Sequence, residues 1–282
     1  MFESINKIIF PFPIFNKSNL VTFRKNVIHI PTKNEKEKIP CLFQKKEKSD
    51  KILIIFHCNG ADMFNIFEII NQLFGNYNIN ILIPEYPGYS IYNSPLSSEK
   101  CLENSLIIYD FILNNIENIT EKNIYILGRS LGTGPAIYLS SKRNPAGTFL
   151  ISPYTTFGAV GGSYHSEKII EALSKHFRSI DYIDKIKTPL LIIHGVPDNL
   201  INCEEAKILY GKCSNDIIKE LKLINNMGHN YSTKFLSKVI VPYIIDFANK
   251  HCNLKDFKNE NNEENKVIID FDKNIYELPK EL

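Results

Sequence analysis

The stretch Asn123-Ile-Tyr-Ile-Leu-Gly-Arg-Ser-Leu-Gly-Thr-Gly-Pro-Ala136 constrains the fold of this chain more than any other. A short apolar strand runs into Gly128-x-Ser130-x-Gly132 and then directly into a helix. Such a turn leaves the serine at its tip, with Oγ outward and a neighbouring backbone N–H able to meet an anion. Gly128 and Gly132 are required because a side chain at either would strike the flanking strand or helix. Pro135 falls in the first helical turn, where a missing N–H costs little. The five-residue pattern alone arises by chance in roughly one chain of this length in ten. Its weight comes from its placement and from its partners downstream.

Around this turn, short apolar runs alternate with amphipathic stretches. Strands are expected over Leu20–Ile30, Ile39–Gln44, Lys51–His57, Ile79–Pro84, Asn123–Leu127, Gly147–Ser152, Pro189–His194 and Glu220–Ile224. The first two read as a hairpin across the charged turn Thr32–Lys38. From Lys51 onward the strands are short and apolar, as expected of strands covered on both faces. Helices are expected over Asp62–Phe74, with Asp62 as N-cap, and over Glu99–Asn115, Thr133–Lys142, Glu167–Lys175, Glu204–Tyr210 and Thr233–Lys250. The pattern predicts an α/β fold, a mostly parallel central sheet of about eight strands with helices on both faces. At 282 residues the chain suits one large domain, over 20–252. An apolar, proline-containing segment over 1–19 precedes it, and a polar, charged tail over 253–282 follows.

Net charge is +2, which gives no reason to expect a nucleic-acid partner. No apolar run reaches the length of a membrane span. The run Ile8-Ile-Phe-Pro-Phe-Pro-Ile-Phe15 is broken by two prolines and makes a poor signal peptide. It offers either peripheral membrane contact or packing on the domain body, and packing is the favoured expectation. The six cysteines are scattered without a C-x-x-C pair, as in a reduced cytoplasmic protein. A monomer is expected.

In an open α/β sheet, ligands sit beyond the carboxyl ends of the strands. Ser130 follows one such strand, Gly195-Val-Pro-Asp198 another, and Asn225-Asn-Met-Gly-His229 a third. A hydroxyl, a carboxylate and an imidazole therefore project from one edge in the order Ser130, Asp198, His229. This is the chain order that such an architecture uses for nucleophilic catalysis. A serine hydroxyl is a weak nucleophile until a base removes its proton, and the imidazole needs a buried carboxylate to fix its tautomer. Taken singly, Asp198 would read as a turn residue and His229 as a loop histidine; together they carry the expectation. His194, ending a strand, reads as support for the acid loop. Oxyanion donors are expected from the N–H of Leu131 and the N–H of Asn59, in the loop His57-Cys-Asn-Gly-Ala-Asp62. No His-x-x-x-His or Cys/His cluster suggests a metal, and the chemistry needs no cofactor.

The strand–His-x-Asn-x-x-Asp stretch, Pro84-Glu-Tyr-Pro-Gly-Tyr-Ser90, Gly-x-Ser-x-Gly-Thr, Ile151-Ser-Pro153, His-Gly-x-x-Asp and Gly-His-Asn230 together resemble the α/β-hydrolase superfamily. More narrowly, they resemble its compact, lid-poor ABHD-type serine hydrolases, a group that includes protein depalmitoylases. The resemblance spans about Cys41 to Lys250. It implies esterase or thioesterase chemistry through an acyl-enzyme and carries Ser130, Asp198 and His229 over as the triad. Two departures stand out. The family's His-Gly-Asn is His57-Cys58-Asn59 here, so a Cβ at Cys58 is expected to restrict the oxyanion loop. The N-terminal cysteine cluster that depalmitoylases use for membrane attachment has no counterpart before Cys41.

The short segment between Ser152 and Pro189 implies a minimal cap and an open site, suited to an acyl ester or thioester on a lipid or an S-acylated protein. The aromatic pairs Phe64 and Phe67, Tyr86 and Tyr89, and Tyr154 and Phe157 are candidates for an acyl groove, with core packing as the alternative. Tyr86, Tyr154 and Phe157 are the expected substrate contacts. A serine aminopeptidase and a non-catalytic binding protein on the same fold remain open as other readings.

Overall fold

The computed structural model describes residues 5, 8–11, 21–32, 37–47, 49–161 and 166–252. Within them an eight-stranded sheet runs in the order β1-β2-β4-β3-β5-β6-β7-β8. The strands are β1 Val27–Pro31, β2 Lys38–Gln44, β3 Ile52–Phe56, β4 Asn80–Pro84, β5 Ile124–Arg129, β6 Gly147–Ile151, β7 Leu190–Gly195 and β8 Lys219–Ile224. β1 and β2 form the expected hairpin, and β2 pairs antiparallel with β4. Every later pairing is parallel. The residues of β3, β4, β6 and β7 are buried at every position, which is why these strands read as continuous apolar runs.

The principal helices are α1 Met63–Phe74, α2 Ser98–Asn115, α3 Thr133–Lys142, α4 Glu167–Leu173, α5 Glu204–Lys212 and α6 Val241–His251. The Asp62 side chain accepts the Asn65 N–H at 2.8 Å and caps α1 as the sequence predicts. Because successive strand residues point to opposite faces, β5 divides the core in two. Ile124 and Ile126 pack with Ile108 and Ile112 of α2 and Ile137 of α3 on one face. Tyr125 and Leu127 pack with Phe64 and Ile70 of α1 and Ile244 and Phe247 of α6 on the other.

Two expectations are corrected. The first strand begins at Val27 rather than Leu20, and residues 21–26 are helical. Arg24, Lys25 and Asn26 place three polar side chains in a row, which breaks the two-residue alternation of a strand. Phe23 turns instead onto Phe64 and Phe67, with ring centroids at 6.4 and 5.3 Å. The helix expected over Thr233–Lys250 is interrupted by a π-turn at Leu236–Ile240, directly before α6, whose second residue is Pro242. Proline supplies no N–H to the preceding turn, and a π-bulge is one way for a helix to absorb that loss.

Ile9 and Phe10 are fully buried against the domain. Phe10 meets Tyr89 and Phe177 edge-on at 6.1 and 6.0 Å, and the Ile9 carbonyl accepts Asn59 Nδ2 at 2.8 Å. These two side chains have no surface left to offer a membrane; residues 12–15 lie outside the described residues, as does the tail over 253–282. Among the described residues no helix is long and apolar enough to cross a membrane. If Phe10 packs as it stands here, Phe10→Ala should lower unfolding stability by about 3–5 kcal/mol. Denaturant unfolding checks this, since an exposed or membrane-facing phenylalanine would change it by less than about 0.5 kcal/mol.

Candidate active site

β5 ends in a tight turn onto α3, and Ser130 sits in it with a left-handed backbone, φ 50°. The turn closes only because Gly132 has no side chain. A Cβ there would lie 2.0 Å from the Phe56 carbonyl oxygen and 2.7 Å from that of His57. The carboxyl end of β3 and the loop after it are thereby pressed against the serine turn.

Two further strand ends complete the cluster. His229 Nε2 lies 3.1 Å from Ser130 Oγ, and His229 Nδ1 lies 2.9 Å from Asp198 Oδ2. The carboxylate is an acceptor, so the proton sits on Nδ1 and leaves Nε2 to accept from the serine hydroxyl. The other Asp198 oxygen, Oδ1, accepts the N–H groups of Leu200 at 3.0 Å and Ile201 at 2.9 Å. His194 Nε2 donates to the Ile201 carbonyl at 2.9 Å and lies 3.4 Å from Asp198 Oδ2, which is the supporting place expected for it. Burial by itself would raise the Asp198 carboxyl. The hydrogen bonds from His194, His229 and Ile201 outweigh it and hold the group well below the usual carboxylate range. Ser130 is 4% exposed and the His229 side chain 12%, so solvent reaches the pair only narrowly.

The loop after β3 is held by groups to which the sequence reading gave no role. Glu85, directly after β4 and buried, accepts the N–H of Met63 at 3.1 Å and of Tyr86 at 3.0 Å. Its Oε1 also lies 3.2 Å from His57 Nε2, while His57 Nδ1 lies 3.0 Å from the Cys58 carbonyl. A carbonyl only accepts, so Nδ1 carries a proton, and one further proton is shared between Nε2 and Glu85. Burial pushes the Glu85 carboxyl up, against the lowering pull of His57. One carboxylate thus ties together β4, the first residue of α1 and the loop carrying Asn59. The available signal was its position: a lone acid directly after an unbroken apolar strand, at the same sheet edge as Ser130.

Cys58 does not obstruct this loop. The left-handed residue is Gly60, φ 73°, so position 58 has no need of glycine. The Cys58 side chain is buried in the α1 layer, and Arg129 Nη1 donates to its sulfur at 3.3 Å. Arg129 Nη2 donates to the His229 carbonyl at 3.2 Å, and its guanidinium lies 4.7 Å from the Tyr231 ring centre. Arg129, the residue before the serine, therefore joins the loop after β3 to the histidine loop. The Asn59 side chain is engaged on both sides, donating to Ile9 and accepting from Tyr89 Oη at 2.7 Å.

The aromatic substrate contacts are corrected. Tyr86, Tyr154 and Phe157 are 3%, 0% and 3% exposed. Tyr86 Oη donates to the His57 carbonyl at 2.7 Å and Tyr154 Oη to the Leu131 carbonyl at 3.0 Å. Phe157 packs edge-on against Tyr154. Rings that fill a core while their hydroxyls bond the backbone support the serine turn from behind and line no groove. Among the described residues no group of His, Cys, Asp and Glu could hold a metal ion.

No family model matches the chain. Individual relatives do. An alpha/beta hydrolase of Acanthamoeba polyphaga mimivirus is 32% identical over 196 residues, covering 69% of this chain and 71% of the relative. Alpha/beta hydrolase domain-containing protein 17B of Homo sapiens is 29% identical over 194 residues, 68% of this chain and 65% of the relative. The chain thus spans slightly less than two thirds of that longer human protein. Among solved structures, the Pyrococcus furiosus esterase Pf2001 superposes with a TM-score of 0.63 at 18% identity, over 80% of this chain and 92% of that one. The α/β hydrolase GrgF of Penicillium sp. gives 0.67 at 13% identity, over 80% and 98%. Those two likenesses reproduce the fold. The viral relative shows the family: the chain belongs to the α/β-hydrolase family and is a hydrolase.

Proposed function

We propose that the protein is a serine hydrolase that cleaves carboxylic esters or thioesters through an acyl-enzyme, with lipid or S-acylated protein substrates. The observation that carries this reading is the unbroken chain from Ser130 Oγ through His229 to Asp198, at 3.1 and 2.9 Å. In the first half-reaction His229 Nε2 takes the Ser130 proton as Oγ bonds to the substrate carbonyl carbon. Asp198 keeps the imidazole in the required tautomer and stabilises the imidazolium that forms. The developing oxyanion is met by the N–H groups of Leu131 and Asn59. His229 then returns its proton to the departing alkoxide or thiolate as the bond to the carbonyl carbon breaks. Water completes the cycle by the same route, giving the free acid and restoring Ser130.

Ser130→Ala should therefore leave a folded protein that hydrolyses no ester and takes no fluorophosphonate label. Full activity in that variant would remove the mechanism. Asp198→Asn should lower kcat by about 10⁴-fold, because an amide cannot hold the same tautomer; steady-state kinetics on p-nitrophenyl butyrate reads it. Glu85→Ala leaves the Met63 and Tyr86 N–H groups without their buried acceptor and His57 Nε2 without its partner, and should lower unfolding stability by about 3–5 kcal/mol. In whatever fraction folds, release of the Asn59 loop should cost activity toward the roughly hundredfold that loss of one oxyanion donor brings.

A further inference from the structure

Ser130 and His229 face the upper edge of the sheet, while their chain neighbours Arg129 and Asn230 turn toward the layer between the sheet and helices α1 and α6. A cavity of about 290 Å³ lies in that layer. Polar residues Asn65, Arg129, Asn230 and Thr233 are part of its lining, and their places in the chain put them toward the serine's end, which we read as the mouth. Asn65 and Thr233 stand at the beginnings of their helices, at the same end of the sheet as the serine. Below the mouth the walls are hydrocarbon: Ile66, Ile70 and Leu73 follow one face of α1 downward. From Asn65 to Leu73 the drop is about 12 Å at the helical rise per residue. Phe74 and Ile244, 2% and 3% exposed, also line it at that depth.

From this geometry we infer that the cavity takes the hydrocarbon chain of the substrate's acyl group, inserted methyl end first past Arg129 and Asn230. The inference rests on the serine-hydrolase reading above. A pocket with a polar mouth and an apolar depth accepts a chain that ends in a methyl group. A peptide or a sugar placed there would leave buried polar atoms without partners. The leaving group must depart to water, so the acyl side is the part of the ester that fits. A cavity of about 150 Å³ holds one benzene ring, and twice that volume suits a chain on the order of ten carbons. The buried aromatics at Tyr86, Tyr154 and Phe157 take no part. The chain site is aliphatic and lies across the sheet from them.

The test is an acyl-length series of p-nitrophenyl esters from acetate to decanoate on the wild type and on Ile70→Phe, which fills the middle of the cavity. In the wild type kcat/KM should climb with length, by up to roughly fourfold per buried methylene. In Ile70→Phe the decanoate-to-acetate ratio should fall at least tenfold. An unchanged ratio in a folded variant overturns the proposal. If Ile70→Phe does not fold, wild-type inactivation by n-alkyl fluorophosphonates of increasing length decides: rates rising with chain length support the site, and flat rates overturn it. A folded wild type that turns over no ester and takes no fluorophosphonate would fail the serine-hydrolase reading itself. The cavity is then judged by n-decanol alone. A raised wild-type melting temperature that is lost in a smaller-cavity Ile66→Phe variant supports a hydrocarbon site, and no shift removes it.

Discussion

The contact of Gly132 with the end of β3 sets where everything else in the site can stand. The serine turn and the Phe56–His57 backbone approach so closely that no side chain fits between them. That approach holds the turn carrying Leu131 against the start of the loop carrying Asn59, the two proposed anion donors, before any substrate arrives. Preorganisation of this kind is what lets fixed dipoles stabilise a developing charge without reorganising during the reaction. It also explains the buried network behind the turn. The Tyr154 hydroxyl holds the Leu131 carbonyl, and the Tyr86 hydroxyl holds that of His57. Both sides of the contact are braced from the core.

The parallel sheet does the remaining placement. Ser130, Asp198 and His229 come from three strand ends, β5, β7 and β8, far apart in sequence and brought to one edge by register. β6 and β7 pair through Ile151 and Ile193, and β7 and β8 through Gly195 and Ile224, so the ends stay level. A one-residue slip would turn each strand's side chains to the other face and separate the histidine from its acid. His194 adds a second imidazole beside Asp198, and the carboxylate stays ionised because its hydrogen bonds outweigh the cost of burial.

Much of this was legible in the sequence, and the unread part has a common cause. Strands buried on both faces announce themselves as apolar runs, so β3 through β7 were found with their ends nearly in place. Ser130 and Asp198 were singled out because each follows such a run and His229 because it follows the half-polar β8, and the structure brings the three side chains within hydrogen-bond distance of one another. Glu85 also follows an apolar run, yet it reads as a loop residue: nothing local shows that its partners are Met63, Tyr86 and His57. The aromatics failed for the opposite reason. Composition shows a ring but not its direction, and Tyr86, Tyr154 and Phe157 point into the core. The first strand failed because β1 lies at a sheet edge, where Arg24, Lys25 and Asn26 compete with weak pairing.

Cys58 shows how one substitution is absorbed by the sheet's two-sidedness. In a loop read as His-Gly-Asn, a side chain at the middle position looks like an obstruction of the anion site. The structure sends it to the layer of α1 and α6, where Arg129 bonds its sulfur. The same guanidinium holds the His229 carbonyl and lies over Tyr231. Arg129 therefore stands between the Ser130 turn and the aliphatic cavity it lines, touching the loop after β3 and the histidine loop at once. Because one side chain bridges both loops, the proposed acyl chain would pass the group that keeps those loops in register. On that proposal, substrate length and the geometry of the site meet at a single residue, immediately before Ser130.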